Sequence, residues 1–319
     1  MSLSLTAAAD DDGRRLDRIL RKALRDLPLS AIHRLLRQGC IRVNGETAAA
    51  DRRIQAGETI TVSEAISRGE RRTAPPVPGS KSAAAEQNLE ILFEGSGLLI
   101  LNKPAGLAVH REAASEREAS HLAERVLSYL SPKLPPSLSF TPGPLHRLDK
   151  PSSGVIAFSA SLQGAKLFSA MMRERKIKKF YLALVQGNIE GTEIWQDELI
   201  RDQNQRKTFT GKDSGCKSKT AITRVKALVQ NTACTLILAE IETGISHQIR
   251  AQAAARGHPL IGDKKYGAKP FPQSAGGFML HAWRMEFPAG ISLPGLIEAP
   301  LPDYFRAKIR ELFGKEVEV

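Results

Sequence analysis

Cysteine is scarce in this chain and follows no pattern. Cys40, Cys216 and Cys234 are odd in number, far apart and without C-x-x-C spacing. This argues against a disulfide framework and a structural zinc site, and for a reducing cytoplasm. No stretch approaches the roughly 18 uninterrupted apolar residues that a membrane span needs, so neither a span nor a membrane partner is expected. Asp10, Asp11 and Asp12 stand where a secretory leader would need a long apolar run, so no signal peptide is expected either. Acidic residues are outnumbered: 34 Asp and Glu face 46 Lys and Arg, for a net charge of +12. An excess of this size suits a polyanionic partner, because basic side chains displace the condensed counterions of nucleic acid. Solubility alone also explains a basic surface, so charge by itself does not decide.

What is present is enough for folding. The 319 residues are 42% hydrophobic, which fits one large domain plus a small one. The first compact unit is read over 13–62. Leu16, Ile19, Leu20, Ala23, Leu24 and Leu27 recur at helical spacing, with arginines and Lys22 on the opposite face. Pro28 ends that helix, and Ser30 is expected to cap a second one carrying Ile32, Leu35 and Leu36. Gly39 is its expected stop. Ile41 to Val43 then meets Asn44-Gly45, a strong hairpin signal, and Thr59 to Val62 closes the unit. Between Gly13 and Arg53 lie eleven Lys or Arg and four Asp or Glu.

Two helices followed by a small basic β segment, with R-L-D near the start and I-R-V-N-G in the middle, resemble the RNA-binding domain first named in ribosomal protein S-four. That resemblance implies that the second helix and the following turn face RNA. The matching basic residues are His33, Arg34, Arg37 and Arg42. A solvated basic face is the plainer alternative for any one of them.

Residues 63–88 are dominated by Pro, Ser and Ala with no apolar period, and read as a flexible linker. From residue 89 to 315 the pattern is mixed. Strand-like runs appear at Leu98 to Leu101, Val155 to Phe158, Tyr181 to Val185, Val225 to Val229 and Thr235 to Glu242. Helical patterns appear at Ser120 to Leu130, Leu162 to Glu174, Ile245 to Arg256 and Tyr304 to Leu312. Strands without regular βαβ alternation point to an α+β domain with a curved, mainly antiparallel sheet and flanking helices.

The segment richest in chemistry is His146-Arg147-Leu148-Asp149-Lys150-Pro151-Ser152-Ser153-Gly154. A charged group punctuated by Pro and Gly at a strand entrance is where a loop presents side chains at a rigid edge. Taken alone, such an aspartate is more often a turn former or an ion-pair partner.

This segment closely resembles the H-R-L-D-x-x-T/S-S-G signature of the RluA-type pseudouridine synthases. Further segments follow in that family's order. They are Asn102-Lys103-Pro104 through Leu107, Lys179 through Val185, Gly244 through Arg250, His258 through Asp263 with Tyr266-Gly267, and Leu280-His281-Ala282. The resemblance covers roughly residues 89 to 290. It implies an essential Asp149, a Tyr181 that packs against the target base and serves in the final deprotonation, and an Arg250 that pairs with the aspartate. It also implies an Arg147 that displaces the target base. His146 and His247 are further candidates for contact with the base or the RNA, although a satisfied structural histidine explains His247 equally well. The chain departs from the pattern at Ser152, Ile245, Ser246, Ala251 and Gln252, all outside the core trio.

The implied chemistry suits these residue types. Uridine becomes pseudouridine by breaking the sugar bond to ring nitrogen one, turning the uracil and rejoining it through ring carbon five. No atom is added and no redox change occurs, so neither a cofactor nor a metal is expected. One carboxylate serves as nucleophile or as stabiliser of a cation-like sugar, and an adjacent arginine favours its charged form. A glycosidase would want two flanking carboxylates and a water. The run Arg173 to Lys179 forms a second basic cluster, which either tracks phosphates or is a solvated helix end.

The expected partner is RNA, with large-subunit (23S) ribosomal RNA or its precursor particle favoured and transfer RNA as the alternative. A non-catalytic RNA-binding assembly factor and a uracil-releasing glycosidase are readings from other classes. The sequence is silent on oligomeric state, with a monomer as the simplest expectation.

Overall fold

The computed structural model describes residues 3–317, apart from 25–26, 64–88, 112–120, 135–136, 203–204, 206, 212–217, 270–276 and 316. The expected linker therefore lies outside the described residues except at Ser63. The chain forms two compact units. One comprises residues 1–88, 127–143 and 160–163, the other 89–126, 144–159 and 164–319.

In the small unit, β1 is Leu3–Thr6, β2 is Arg14–Arg15, and α1 is Leu16–Ala23. Helix α1 buries Leu16, Ile19 and Leu20, the i, i+3, i+4 stripe of an amphipathic helix. It ends at Leu24 rather than running on to Pro28. Helix α2 (Leu29–Arg37) starts behind Pro28, whose carbonyl accepts from the amides of Ala31 and Ile32 at 2.9 and 3.2 Å. Pro28 thus takes the capping position expected of Ser30, because its fixed φ is already set for the entry into a helix. Gly39, at φ +69°, stops α2 as expected, with Cys40 N donating to Leu35 O.

Strands β3 (Ile41–Val43) and β4 (Glu46–Thr47) flank the Asn44-Gly45 turn, where both residues have positive φ, the twist a two-residue hairpin requires. β5 (Arg53–Ile54) pairs with β2, and β6 (Thr59–Val62) lies between β1 and β3 in the order β1-β6-β3-β4. β1 was not expected, since four weakly apolar residues carry little strand signal. Buried aliphatics from α1, α2, β3, β5 and β6 form the core, and Leu138 packs against it. The Asp11 carboxylate is fully buried. It accepts from the amides of Ala8 (2.9 Å) and Leu138 (3.0 Å), from the Ser137 hydroxyl (3.1 Å) and from the Ser139 hydroxyl. Arg14 and Lys22 both donate to Ser139 O at 3.0 Å.

The large unit is built on one sheet. Its strands are β7 (Glu90–Gly95), β8 (Leu98–Lys103), β9 (Gly143–Pro144), β10 (Ser153–Ser159), β11 (Lys178–Gln186), β12 (Thr192–Asp202), β13 (Lys207–Thr210), β14 (Lys219–Gln230), β15 (Cys234–Ile241), β16 (Leu280–Glu286) and β17 (Leu296–Glu298). They run in the order β13-β12-β14-β15-β11-β16-β10-β8-β7, with β17 on β16 and β9 on β10. The helices are α3 (Leu122–Leu130), α4 (Leu162–Arg173), α5 (Gln248–Ala255) and α6 (Asp303–Phe313). The α+β expectation holds. Along that path every pairing is antiparallel but one, the parallel pairing of β10 with β16.

That parallel seam explains a glycine in the signature segment. Gly154 sits opposite Ala282 at φ +109°, and a β-carbon there would come within 2.1 Å of the Ala282 carbonyl oxygen. Only glycine permits this approach. Helices α4, α5 and α6 cover separate parts of the sheet. Phe168 and Met171 of α4 pack on Leu98, Ile100, Val155 and Ala157; Phe305 and Ile309 of α6 pack on Leu182, Leu184 and Leu236. Each such side chain, fully buried, contributes about 1.5–3 kcal/mol. Ala251 of α5 packs with Leu199, Ala221 and Tyr266.

Candidate active site

Asp149 lies in the turn before β10, where Ser152 N donates to its carbonyl at 3.0 Å. A buried lysine sets this turn. Lys103, at the end of β8, donates to the carbonyls of Pro104, Leu107 and Lys150 at 2.8, 2.8 and 3.2 Å. The Gly106 amide donates to Lys150 O at 2.8 Å. The Asn-Lys-Pro segment therefore works as a brace under the aspartate turn. Burial pulls Lys103 down to about 8, with the Asp149 charge opposing that shift.

Arg250, in the first turn of α5, donates through one terminal nitrogen to Asp149 Oδ2 at 2.7 Å. Its other two donors go to Asp263, Nε to Oδ2 at 2.7 Å and the second terminal nitrogen to Oδ1 at 2.8 Å. The guanidinium is also flanked by the rings of Phe278 (4.0 Å) and Tyr266 (4.8 Å). Burial opposes the guanidinium charge, but the hydrogen bonds and charge of Asp263, then those of Asp149, outweigh it and raise its pKa further. A planar fork held on three sides has little freedom, so the position of Asp149 Oδ2 is fixed.

His247, at φ +58° just before α5, faces the other oxygen: Nε2 lies 3.7 Å from Asp149 Oδ1. Its Nδ1 is 2.9 Å from the Tyr266 hydroxyl, which already accepts the Thr208 amide at 2.9 Å. The phenol proton is thereby directed at Nδ1, and the imidazole hydrogen is left on Nε2, towards Asp149. Burial depresses His247 to about 4, with the Asp149 charge opposing, so the ring is neutral at pH 7.

Tyr181 lies on β11 at a register shift against β16, and is almost wholly buried. Burial, then the Asp149 charge, push its phenol well above the ordinary value. With Asp149, Leu148, Ile241, Ile245, Arg250 and Leu280 it lines a cavity of about 290 Å³ that is mainly apolar. A second hollow of about 660 Å³ shares Asp149, Arg147, His247 and Arg250, and adds His110, Arg111, Lys150, Arg201 and Lys265. Asp149 is thus common to an apolar cavity and a basic hollow.

Arg147 is exposed and lines both spaces. His146 is used differently. Its Nε2 accepts the Ala157 amide at 3.0 Å, its ring stacks on Phe168, and burial pulls its pKa down to about 3. It steadies the entry to β10 and also lines the cavity. In the small unit, Arg34, Arg37 and Arg42 are exposed and His33 is half-buried. Arg42 makes long hydrogen bonds to Gly39 O and Gly45 O, at 3.4 and 3.3 Å.

The basic run before β11 does not act as one patch: Arg173, Arg175, Lys176 and Lys178 are exposed, whereas Lys179 is buried. Strand alternation separates them, turning Lys179 and Tyr181 to one face. The departures at 251 and 252 are internal. Ala251 packs in a core cluster, and the Gln252 amide donates to Trp195 O and Asp197 at 3.0 and 2.8 Å. Sequence reasoning assigned no role to Asp263, Tyr266 or Phe278. The H-P-L-I-G-D and Y-G segments carried the first two as motif letters.

Comparison with known proteins bears on this geometry. A family described as RNA pseudouridylate synthase matches residues 97–255, and the S4 domain matches residues 14–60. Ribosomal large subunit pseudouridine synthase D of Nitrosomonas europaea is 31% identical, over 98% of this chain and 88% of its own length. Ribosomal large subunit pseudouridine synthase C of Vibrio parahaemolyticus is 32% identical, over 87% of this chain and 86% of its own. The solved structure of human RNA Pseudouridylate Synthase Domain Containing 4 shares the fold, with a TM-score of 0.56 at 22% identity. It covers 70% of this chain and 92% of its own.

Proposed function

The chain belongs to the RNA pseudouridylate synthase family, and we propose that it isomerises specific uridines of large-subunit ribosomal RNA with Asp149, Tyr181 and Arg250 as its catalytic set. The observation that carries this reading is the position of Asp149. It stands where an apolar cavity meets a basic hollow, with one oxygen held by Arg250 at 2.7 Å.

A uridine inside a helix is out of reach, so the base must leave its stack. The basic hollow takes the phosphates on either side of the extruded nucleotide, and Arg147 fills the space left behind. The uracil enters the cavity against Tyr181, and the apolar walls keep out the water that would hydrolyse the sugar cation. Asp149 Oδ1, free of Arg250, meets the sugar carbon as nucleophile or as stabilising charge. The bond electrons leave with the uracil. After the base turns, ring carbon five forms the new bond and gives up its proton to a base, for which Tyr181 is the candidate. Ring nitrogen one ends protonated. Nothing in this sequence of steps calls for a cofactor.

The relatives' names point to ribosomal RNA, and the exposed arginines of α2 and β3 offer the small unit a polyanion-binding face. A cytoplasmic location fits this reading, since ribosomal RNA is the proposed substrate. The test is pseudouridine mapping of total RNA in cells with and without the protein, rescued by wild type or Asp149→Asn. Loss of specific large-subunit sites, restored by wild type only, is expected. Loss confined to transfer RNA would move the substrate. Rescue by Asp149→Asn would remove Asp149 from the chemistry and favour an assembly factor.

A further inference from the structure

Among the lysines and arginines of the cavity wall, Lys179 is the one that the steps above leave without a task. It is 6% exposed, and no hydrogen bond or ion pair engages it among the described residues. Among the described residues Nζ is not one of the enclosed polar atoms that lack a partner, so the ammonium opens onto the cavity that it lines. Its neighbours do not neutralise it. His146, in the same wall, is neutral, and the Asp149 oxygens are taken by Arg250 and faced by His247. Tyr181, two residues along β11 and on the same face, carries no charge at pH 7. Gly244, which also lines the cavity, lies beside the amine: a β-carbon there would make ordinary contact with Lys179 Nζ at 3.6 Å.

We propose that Lys179 is a further catalytic residue, donating from its ammonium to a carbonyl oxygen of the uracil and stabilising the uracil anion that departs from the sugar. This rests on the functional reading given above. When the glycosidic bond breaks, its electron pair passes to the uracil and spreads from ring nitrogen one onto the carbonyl oxygens. With the sugar carbon at Asp149, the carbonyls reach deeper into the cavity, towards the wall that carries Lys179. A fixed cation there meets charge that appears only as the bond breaks, which is where electrostatic catalysis is most effective.

The symmetry of uracil makes one donor sufficient. Turning the ring by half a revolution about the axis through ring nitrogen three and carbon six exchanges nitrogen one with carbon five. It also exchanges the two carbonyl oxygens. A single ammonium therefore finds an oxygen in the same place before and after the turn, and the base can reorient without losing its anchor. An arginine fork or an amide would discriminate between the two orientations; a compact ammonium with rotatable donors does not. Burial also lowers the Lys179 amine to about 8, which leaves it mostly protonated at neutral pH.

The experiment is single-turnover pseudouridine formation on ribosomal RNA fragments, with RNA affinity and thermal melting measured in parallel, for wild type, Lys179→Met and Lys179→Gln. Lys179→Met is expected to fold about as stably as wild type, since an apolar chain of similar length replaces the largely buried stem. It is expected to bind RNA within about threefold, and to react about 10²–10³-fold more slowly, the range seen when one oxyanion donor is removed. The wild-type rate is expected to fall above pH 8 along a limb that Lys179→Met lacks. Asp149, Arg147, Arg250, His247, His146 and Tyr181 face the same cavity; burial lowers His146 and His247 and raises Tyr181, which moves all three away from that pH. Lys103, under the Asp149 turn, is present in both proteins and does not distinguish them. A fully active Lys179→Met overturns the proposal, as does a loss that follows RNA affinity alone. Inactive wild type on every RNA would instead overturn the functional reading on which it stands.

Discussion

Arg250 gives Asp263 two of its hydrogen bonds and Asp149 only one. The pair with Asp263 is bidentate, at 2.7 and 2.8 Å, and Asp263 is almost wholly buried. The arginine is therefore anchored from behind, and Asp149 keeps one oxygen free for the substrate.

Replacing Asp263 by Ala is expected to leave the buried guanidinium under-compensated. The expected cost is about 3 kcal/mol in stability, because breaking a buried ion pair strands its partner. Urea unfolding should show it as a lower midpoint with an unchanged slope. Turnover should fall with it, since Arg250 loses its fixed geometry. An Asp263→Ala protein as stable and as active as wild type would show that Arg250 needs only Asp149.

Three histidines are held neutral, His281 fully buried and His146 and His247 partly so: His146 is lowered to about 3, and His247 and His281 to about 4, each chiefly by desolvation. The unfolded chain binds their protons near pH 6.5 and the folded chain does not. Their contribution is therefore complete above pH 6.5 and is lost progressively as pH falls towards 4. Each adds a slope of up to about 1.4 kcal/mol per pH unit in that window. Urea midpoints at pH 7, 6 and 5 should fall in that order, before most carboxylates titrate. A midpoint constant from pH 7 to 5 would mean these rings are solvated.

Reversing the charge at Arg34, Arg37 and Arg42 is expected to weaken RNA binding at least tenfold and to flatten its salt dependence. Every phosphate that the variant no longer neutralises should reduce the logarithmic salt slope by about 0.7–0.9. Melting should hardly move, because all three side chains are exposed. An unchanged salt slope would assign these arginines to solvation only.

Gly154→Ala is expected to unfold or badly destabilise the large unit. The backbone strain alone is about 1–3 kcal/mol, and the added methyl would strike the Ala282 carbonyl. A folded variant, seen as a normal cooperative melt, would require β10 and β16 to separate at the seam.

Much of this was legible in the sequence because it depends on local chemistry. Periodicity placed α1, α2, α4 and α6 to within a few residues, and Asn44-Gly45 announced its hairpin. Asp149 and Arg250 are 101 residues apart, and only the ordered family segments put them together. The misses share one cause, long-range pairing. β1 is a strand because β6 is beside it, and β12 because β14 pairs with it along its length. Neither has a strong pattern of its own. Lys179 was read with its charged neighbours because sequence adjacency hides the alternation of a strand. Asp263 and Tyr266 stood in noted motifs, but their partners lie on other elements.

The Asp11 clamp bears on the order in which the chain can fold as it is made. Ser139, which donates to Asp11, follows it by 128 residues. At about 5–20 residues per second, synthesis separates the two by roughly 6 to 25 seconds. For that interval Asp11 has the Ala8 amide and water, and Leu138 is not yet there to cover the helices. The N-terminal RNA-binding fold therefore waits for a segment encoded well inside the catalytic half. A ribosome that stalls within that interval leaves it incomplete.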